Sequence, residues 1–148
     1  MIRKADKMRN HIRENLWLYL FTAITAFLMF ASIIWVYHVK VLNAPKVYSD
    51  GFGYYLYLPA VIHGDFSFGF IEGWEHPFDL MEVDGGKIDK YPVGVAIMES
   101  PFFFLAHGLC LLKDALAGSM SATGYSNLYQ YLVLFVGVLY WVAGTVLL

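Results

Sequence analysis

The sequence predicts an all-α integral membrane protein: three transmembrane helices, an external loop carrying a short interfacial helix, and the whole a fragment of a larger polytopic fold. Three observations lead there. Hydrophobic residues make up 59% of the 148-residue chain and charged residues 15%, an apolar share well beyond that of an ordinary soluble domain. Three apolar runs are each long enough to cross a bilayer. Half of all Lys and Arg sit in residues 1–15, directly before the first run.

That tail, "MIRKADKMRNHIREN", carries Arg3, Lys4, Lys7, Arg9 and Arg13 against Asp6 and Glu14. A short Lys/Arg-rich segment flanking a first span stays in the cytoplasm, so the N-terminus is placed inside. Its position argues against a nucleic-acid-binding arm. From Asn15 to Val39 the chain has 25 residues without Asp, Glu, Lys or Arg, longer than the roughly 7–15 residues of a signal-peptide core, and an uncleaved signal anchor fits better. The first span is residues 16–38, with Trp17, Tyr19, Trp35 and Tyr37 at its two ends like an interfacial aromatic belt.

Residues 39–91 follow as an external loop holding eight acids and four lysines. Gly69, Gly73, Gly85, Gly86 and Pro77 divide it into turns, and little regular structure is expected. Within it "GFGYYLYLPAVI" is apolar on every side yet too short to span, which predicts an interfacial helix over about 50–62. Ser49 is its expected N-cap, and Pro59 disfavours helix at Leu58, so the helix should kink or stop there. The second span, 92–112, starts with Pro92 in a favourable first-turn position and contains Pro101, a source of a kink. A cytoplasmic connection, 113–127, leads to the third span, 128–148, where the sequence stops without a polar anchor, as a truncation of a longer protein would. The single Cys110 excludes an intrachain disulfide and reads as a small buried hydrophobe.

Chemistry concentrates in two places. Asp50 stands where the external loop enters its aromatic helix, and a carboxylate there can take a proton from an acceptor hydroxyl or hold a divalent cation. With Ser49 it can equally well do no more than start the helix, whose dipole favours an acid in its first turn. Lys90, in "KIDKYPVG", sits at the outer end of the second span, where its ammonium can meet an anionic head group such as phosphate, or simply snorkel. Glu99 is an ionisable group inside a span, and such groups face cavities or partners; His107, eight positions on, is a candidate. His63, Asp65, His76 and Asp79 are metal-ligand types but match no compact ligand spacing. The chain has no Gly-rich phosphate loop, which disfavours a nucleotide-sugar donor.

Asp50 and Lys90, in this order around a first span and external loop, resemble the GT-C superfamily of polyprenyl-phosphate-sugar-dependent glycosyltransferases, particularly the protein mannosyltransferase and aminoarabinose transferase branch. The matching pieces are "SDGFGYYLYLPAVIHGDFSF", with an acid opening a juxtamembrane helix and a "GD" step after it, and "DKYPVGVAIMESPFF", like the family's Lys-Pro-Pro-Leu-Gly entry into the second span. The likeness covers the first two spans and the loop between them. Asp50 is followed by Gly51 where several relatives carry two adjacent acids, and Lys90 by Tyr91 where they carry proline.

The resemblance implies the N-terminal, active-site-bearing part of a GT-C-like membrane glycosyltransferase, in the bacterial inner membrane, that moves a sugar from a polyprenyl-phosphate-linked donor to an acceptor on the external face. Asp50 is then the catalytic acid/base, and Lys90, Tyr54, Tyr55 and Glu99 contact substrate. No metal ligands are assigned, a divalent metal being possible but disfavoured, and no nucleic-acid partner is expected. A different class also fits the short chain: a three-span accessory or scaffold protein without catalysis of its own.

Overall fold

The computed structural model describes residues 10–39, 47, 49–72, 74, 80–84 and 86–147, with the backbone alone at 36–39. Most of the basic tail, His76 and Asp79 lie outside the described residues. Among the described residues the elements are α1 (Leu16–Val39), α2 (Asp50–His63), α3 (Gly94–Ala117) and α4 (Asn127–Leu147), with a 3-10 turn at Gly69–Ile71 and a two-stranded hairpin of β1 (Met81–Val83) and β2 (Gly86–Ile88). Three of these helices, α1, α3 and α4, are long and apolar enough to cross a membrane. The chain is therefore a mostly helical membrane protein.

It divides into two compact units, one of residues 1–40 with 137–148 and one of residues 41–136. In the first, α1 meets the last turns of α4: the indole N–H of Trp141 donates to Thr25 Oγ1 at 3.0 Å, and the Phe21 ring meets the Trp141 ring edge-on. Thr22 and Thr145 are buried here and return their hydroxyls to backbone carbonyls one turn back, Leu18 and Trp141. Both hydroxyls are thereby satisfied within their own helices, where water cannot serve.

In the second unit α2 packs along α3. The core is formed by Phe52, Tyr55, Leu56 and Leu58 of α2, Phe68 and Ile71 after it, Ala96, Phe103, Ala106 and Cys110 of α3, and Tyr129 and Val133 of α4. On α3 the buried positions 96, 103, 106 and 110 recur at helical spacing and are mostly small, which lets α2 approach closely. The Phe103 ring is the hinge of the packing, 5.8 Å from Tyr55 and 4.9 Å from Tyr129. Two buried polar links fix the ends: Gln130 accepts from the Val47 N–H at 3.2 Å and donates to Tyr125 O at 2.8 Å.

Several local expectations change. Helix α2 does not stop at Pro59 but continues to His63. Proline costs the helix one backbone hydrogen bond, but Leu58, Pro59 and Ala60 are all buried, and packing on both sides of the ring holds the helix through it. The apolar surface of α2 is largely covered by protein, so its greasy composition is explained by the core of this unit. The true end is Gly64, in left-handed conformation (φ 64°), whose N–H returns to Ala60 and Val61, with Asp65 N–H bonding Ala60 O. Asp65 then folds the next turn, accepting from the N–H and hydroxyl of Ser67 and from Gly69 N–H. Those bonds, the Ser67 hydroxyl first, hold its carboxyl below the usual range. The "GD" step is thus a helix stop followed by an Asp-centred turn.

Ser49 is not a side-chain cap either. It stands at φ 54° and its hydroxyl makes no capping bond. The loop also contains regular structure that was not expected, the hairpin pairing Met81 with Ile88 and Val83 with Gly86. The Asp84-Gly85 dipeptide between its strands is a strong two-residue turn signal, and Asp84 has the positive φ of 51° such turns use.

The connection before α4 folds back onto α2. Thr123 O lies 3.0 Å from His63 Nε2, Gly124 O accepts the Tyr55 hydroxyl, and Tyr125 stacks on Trp74 at 4.1 Å. His63 and Trp74 are therefore direct neighbours of Thr123 and Tyr125, so the expected external 39–91 loop and cytoplasmic 113–127 connection cannot both stand as bounded. Helix α3 runs five residues past its expected end to Ala117, closed by Gly118 at φ 62°. The Asp114 carboxylate gathers the returning chain, accepting from Ser119, Ser121 and Ala122.

Candidate functional site

The two sequence constellations meet on one side chain. Tyr91 lies between the hairpin and α3, 41 residues from Asp50, and its hydroxyl donates to Asp50 Oδ1. Lys90 Nζ lies 5.0 Å from the centroid of the same ring, within the range of a cation–π contact. Tyr54, one turn along α2, meets the ring edge-on at 4.9 Å. Asp50 and Lys90 are both exposed, and Tyr54 and Tyr91 half-buried. The Asp50 carboxylate is committed to Tyr91 rather than to an α2 backbone N–H, although its place in the first turn still benefits from the helix dipole.

The elements around Tyr91 hold it from every side. A Cβ at Gly53 would overlap its ring, so α2 needs glycine there to let the tyrosine lie against the helix. The Tyr57 hydroxyl donates to Tyr91 O at 2.7 Å, and Tyr91 N–H donates to Asp89 Oδ1 at 3.0 Å. Asp89 is 8% exposed, and its Oδ2 has no hydrogen-bond partner. Burial pushes its carboxyl above the ordinary range. The hydrogen bond its hydroxyl gives Asp50 in turn raises the Tyr91 phenol, because ionising it would lose that bond, while Lys90 beside the same hydroxyl works in the opposite sense.

The other two expected contact residues lie elsewhere. Tyr55 points into the core with no exposure, and its hydroxyl is used by Gly124 O; burial pushes its phenol well above the ordinary value. Glu99 lies in α3 between the buried Ala96 and Phe103, with Oε2 buried and without a hydrogen-bond partner. The suggested Glu99–His107 pair does not form, since His107 Nδ1 is 2.6 Å from the Tyr129 hydroxyl. Among the described residues no three His, Cys, Asp or Glu side chains gather as metal ligands. Of the ligand types named from sequence, His63 stacks on Phe70 and Asp65 is spent on its turn.

Sequence reasoning missed Tyr91, registering it only where a proline stands in the family pattern. The usable signal was its place between Lys90 and Pro92 with a helix-buried Gly53 opposite, and only the second half of that is invisible in one dimension. What the cluster offers chemically is an exposed carboxylate with one oxygen held by a phenol, and an exposed ammonium beside the same phenol. The arrangement can accept a proton and face an anion at the same time. Comparison with known proteins found no similarity to set beside it: no protein family, no curated protein and no solved structure matches this chain.

Proposed function

We propose that the chain carries the acid and the phosphate-facing lysine of a GT-C-like membrane glycosyltransferase, one that takes a sugar from a polyprenyl-phosphate-linked donor. What supports this reading above all is the meeting of Asp50 and Lys90 at the hydroxyl and face of the Tyr91 ring. In the reaction, Asp50 Oδ2 takes the proton from an acceptor hydroxyl as that oxygen attacks the anomeric carbon. The bond from that carbon to the donor phosphate oxygen breaks, and its electron pair leaves with the lipid phosphate, whose charge faces Lys90. Both residues are exposed here, so a water-excluding cavity of the kind such chemistry uses needs further protein around them. The proposed setting is therefore a longer chain in the bacterial inner membrane, with the site on the external face.

The test is transfer from radiolabelled polyprenyl-phosphate sugars in membranes bearing the full-length protein. Asp50→Asn lowers transfer by about 10²-fold or more, the scale of a lost general base, at unchanged abundance. Because Asn starts helices about as well as Asp, full activity of that variant overturns the assignment. Lys90→Met acts chiefly through donor KM. No transfer by the natural protein from any such donor leaves the accessory-protein reading in its place.

A further inference from the structure

An exposed carboxylate and an exposed ammonium this close in space ordinarily attract each other, yet Asp50 and Lys90 form no ion pair; among the described residues the recorded salt bridge is between Lys87 and Glu72, at 3.7 Å. Both charges are instead held at Tyr91: its hydroxyl donates to Asp50, and Lys90 lies beside the same ring within reach of that hydroxyl. The ring cannot swing aside freely. Gly53 admits it against α2, Tyr54 meets its edge, and Asp89 and Tyr57 hold its backbone N–H and carbonyl.

We propose that Tyr91 is a positioning residue that stands between Asp50 and Lys90, so that the carboxylate and the ammonium stay available to two different groups of a substrate instead of neutralising each other. The ligand class this fits is a pair: a hydroxyl that gives its proton to Asp50 Oδ2, and an anionic group, phosphate above all, that faces Lys90. A merged ion pair offers neither a free base nor a free cation. Asp89 serves the arrangement at one remove. Its Oδ1 fixes the Tyr91 N–H, so the ring enters at the angle that reaches Asp50. The assignment of substrate groups rests on the glycosyltransferase reading; the separation of the charges does not.

The separation is measured without any substrate, by following acylation of Lys90 with a membrane-impermeant N-hydroxysuccinimide ester on the full-length protein and reading the modified peptide by mass spectrometry. An ion pair slows this reaction because it holds the amine protonated. With Tyr91 in place, Asp50→Asn leaves the Lys90 rate unchanged. In the Tyr91→Leu background the two charges collapse together, and Asp50→Asn then speeds Lys90 acylation roughly 2- to 5-fold, the effect of an exposed ion pair. Gly53→Ala, which pushes the ring off α2 without altering Tyr91 itself, produces the same coupling and serves if Tyr91→Leu does not fold. A purely structural tyrosine predicts no coupling in any background.

Coupling of equal size with Tyr91 present, or none in either the Tyr91→Leu or the Gly53→Ala background, overturns the proposal. If the coupling pattern holds while no polyprenyl-phosphate sugar is transferred, the spacer stands and the glycosyltransferase reading falls. Transfer without the coupling pattern gives the reverse.

Discussion

In the unit formed by α1 and residues 137–147, Trp17, Phe27 and Trp35 are 82%, 68% and 67% exposed, whereas in the unit of residues 41–136 the rings of Phe52, Tyr55 and Phe103 have no exposure at all. Both regions are mostly apolar along their helices, although α1 carries no Asp, Glu, Lys or Arg and α3 carries Glu99, Lys113 and Asp114. They differ in what covers the apolar side chains. Helix α1 is hydrophobic all round and turns most of its side chains outward, which suits a lipid surrounding. Among the described residues it meets α4 through an indole–threonine hydrogen bond and a ring edge. The second unit covers its rings with protein and spends its polar side chains on tertiary bonds, Tyr55 to Gly124, Tyr57 to Tyr91, His107 to Tyr129. The difference teaches that hydrophobicity in this chain serves two solvents, lipid and protein interior, and that the candidate site grows only on the part with internal packing.

Truncating a ring in each unit breaks this comparison most directly. Phe103→Ala removes a fully buried side chain touching Tyr55 and Tyr129 and should cost about 3–5 kcal/mol of stability, whereas Phe27→Ala, whose ring meets no protein core, should stay within about 0.5 kcal/mol. Thermal unfolding of the two variants in the same detergent gives the contrast; equal losses would mean α1 is packed against protein after all.

Two glycines give a smaller effect of opposite sign. Gly124 sits at φ 79°, and a Cβ there would come within 2.9 Å of Ile62 Cδ1 and of Pro59 Cβ, so Gly124→Ala should destabilise by about 1–3 kcal/mol through overpacking and backbone strain. Gly144 lies inside α4 with open space around its Cα, and Gly144→Ala should add about 0.5–1 kcal/mol by removing a flexible residue from a helix. Unfolding midpoints of both variants check the signs, and a stabilising Gly124→Ala would unseat the packing of the 118–126 connection on α2.

The smallest effect is a pH dependence inside the second unit. Burial raises Asp89 in the folded state, so the folded chain holds that proton more tightly than the unfolded chain. The cost of its buried charge is therefore fully present above the raised value and disappears as pH falls through the window between that value and the ordinary one. The natural protein should gain stability relative to Asp89→Asn as pH is lowered through that window. Asp65, held down by Ser67, acts in the opposite sense, its contribution being lost as pH falls. Unfolding curves of the Asp89→Asn pair across mildly acidic pH read the sign, and a difference independent of pH would show that the Asp89 carboxyl is not desolvated.

By itself the sequence determined the membrane class and three helices long and apolar enough to span, because those follow from run length and charge placement. It also marked Asp50, Tyr54 and Lys90, since a carboxylate and an ammonium beside apolar runs stand out in one dimension. Tertiary structure alone decided the rest. Pro59 stays in a helix because burial of Leu58 and Ala60 outweighs one missing backbone bond. Tyr55 belongs to the core and Tyr54 to the cluster, a difference of one position and about 100° around α2 that only the place of α3 can settle. The meeting of Asp50 with Tyr91 depends on a Gly53 small enough to let a ring lie on the helix and on Asp89 and Tyr57 turning that ring toward the acid. Such contacts join residues about 40 apart, and no local propensity encodes them.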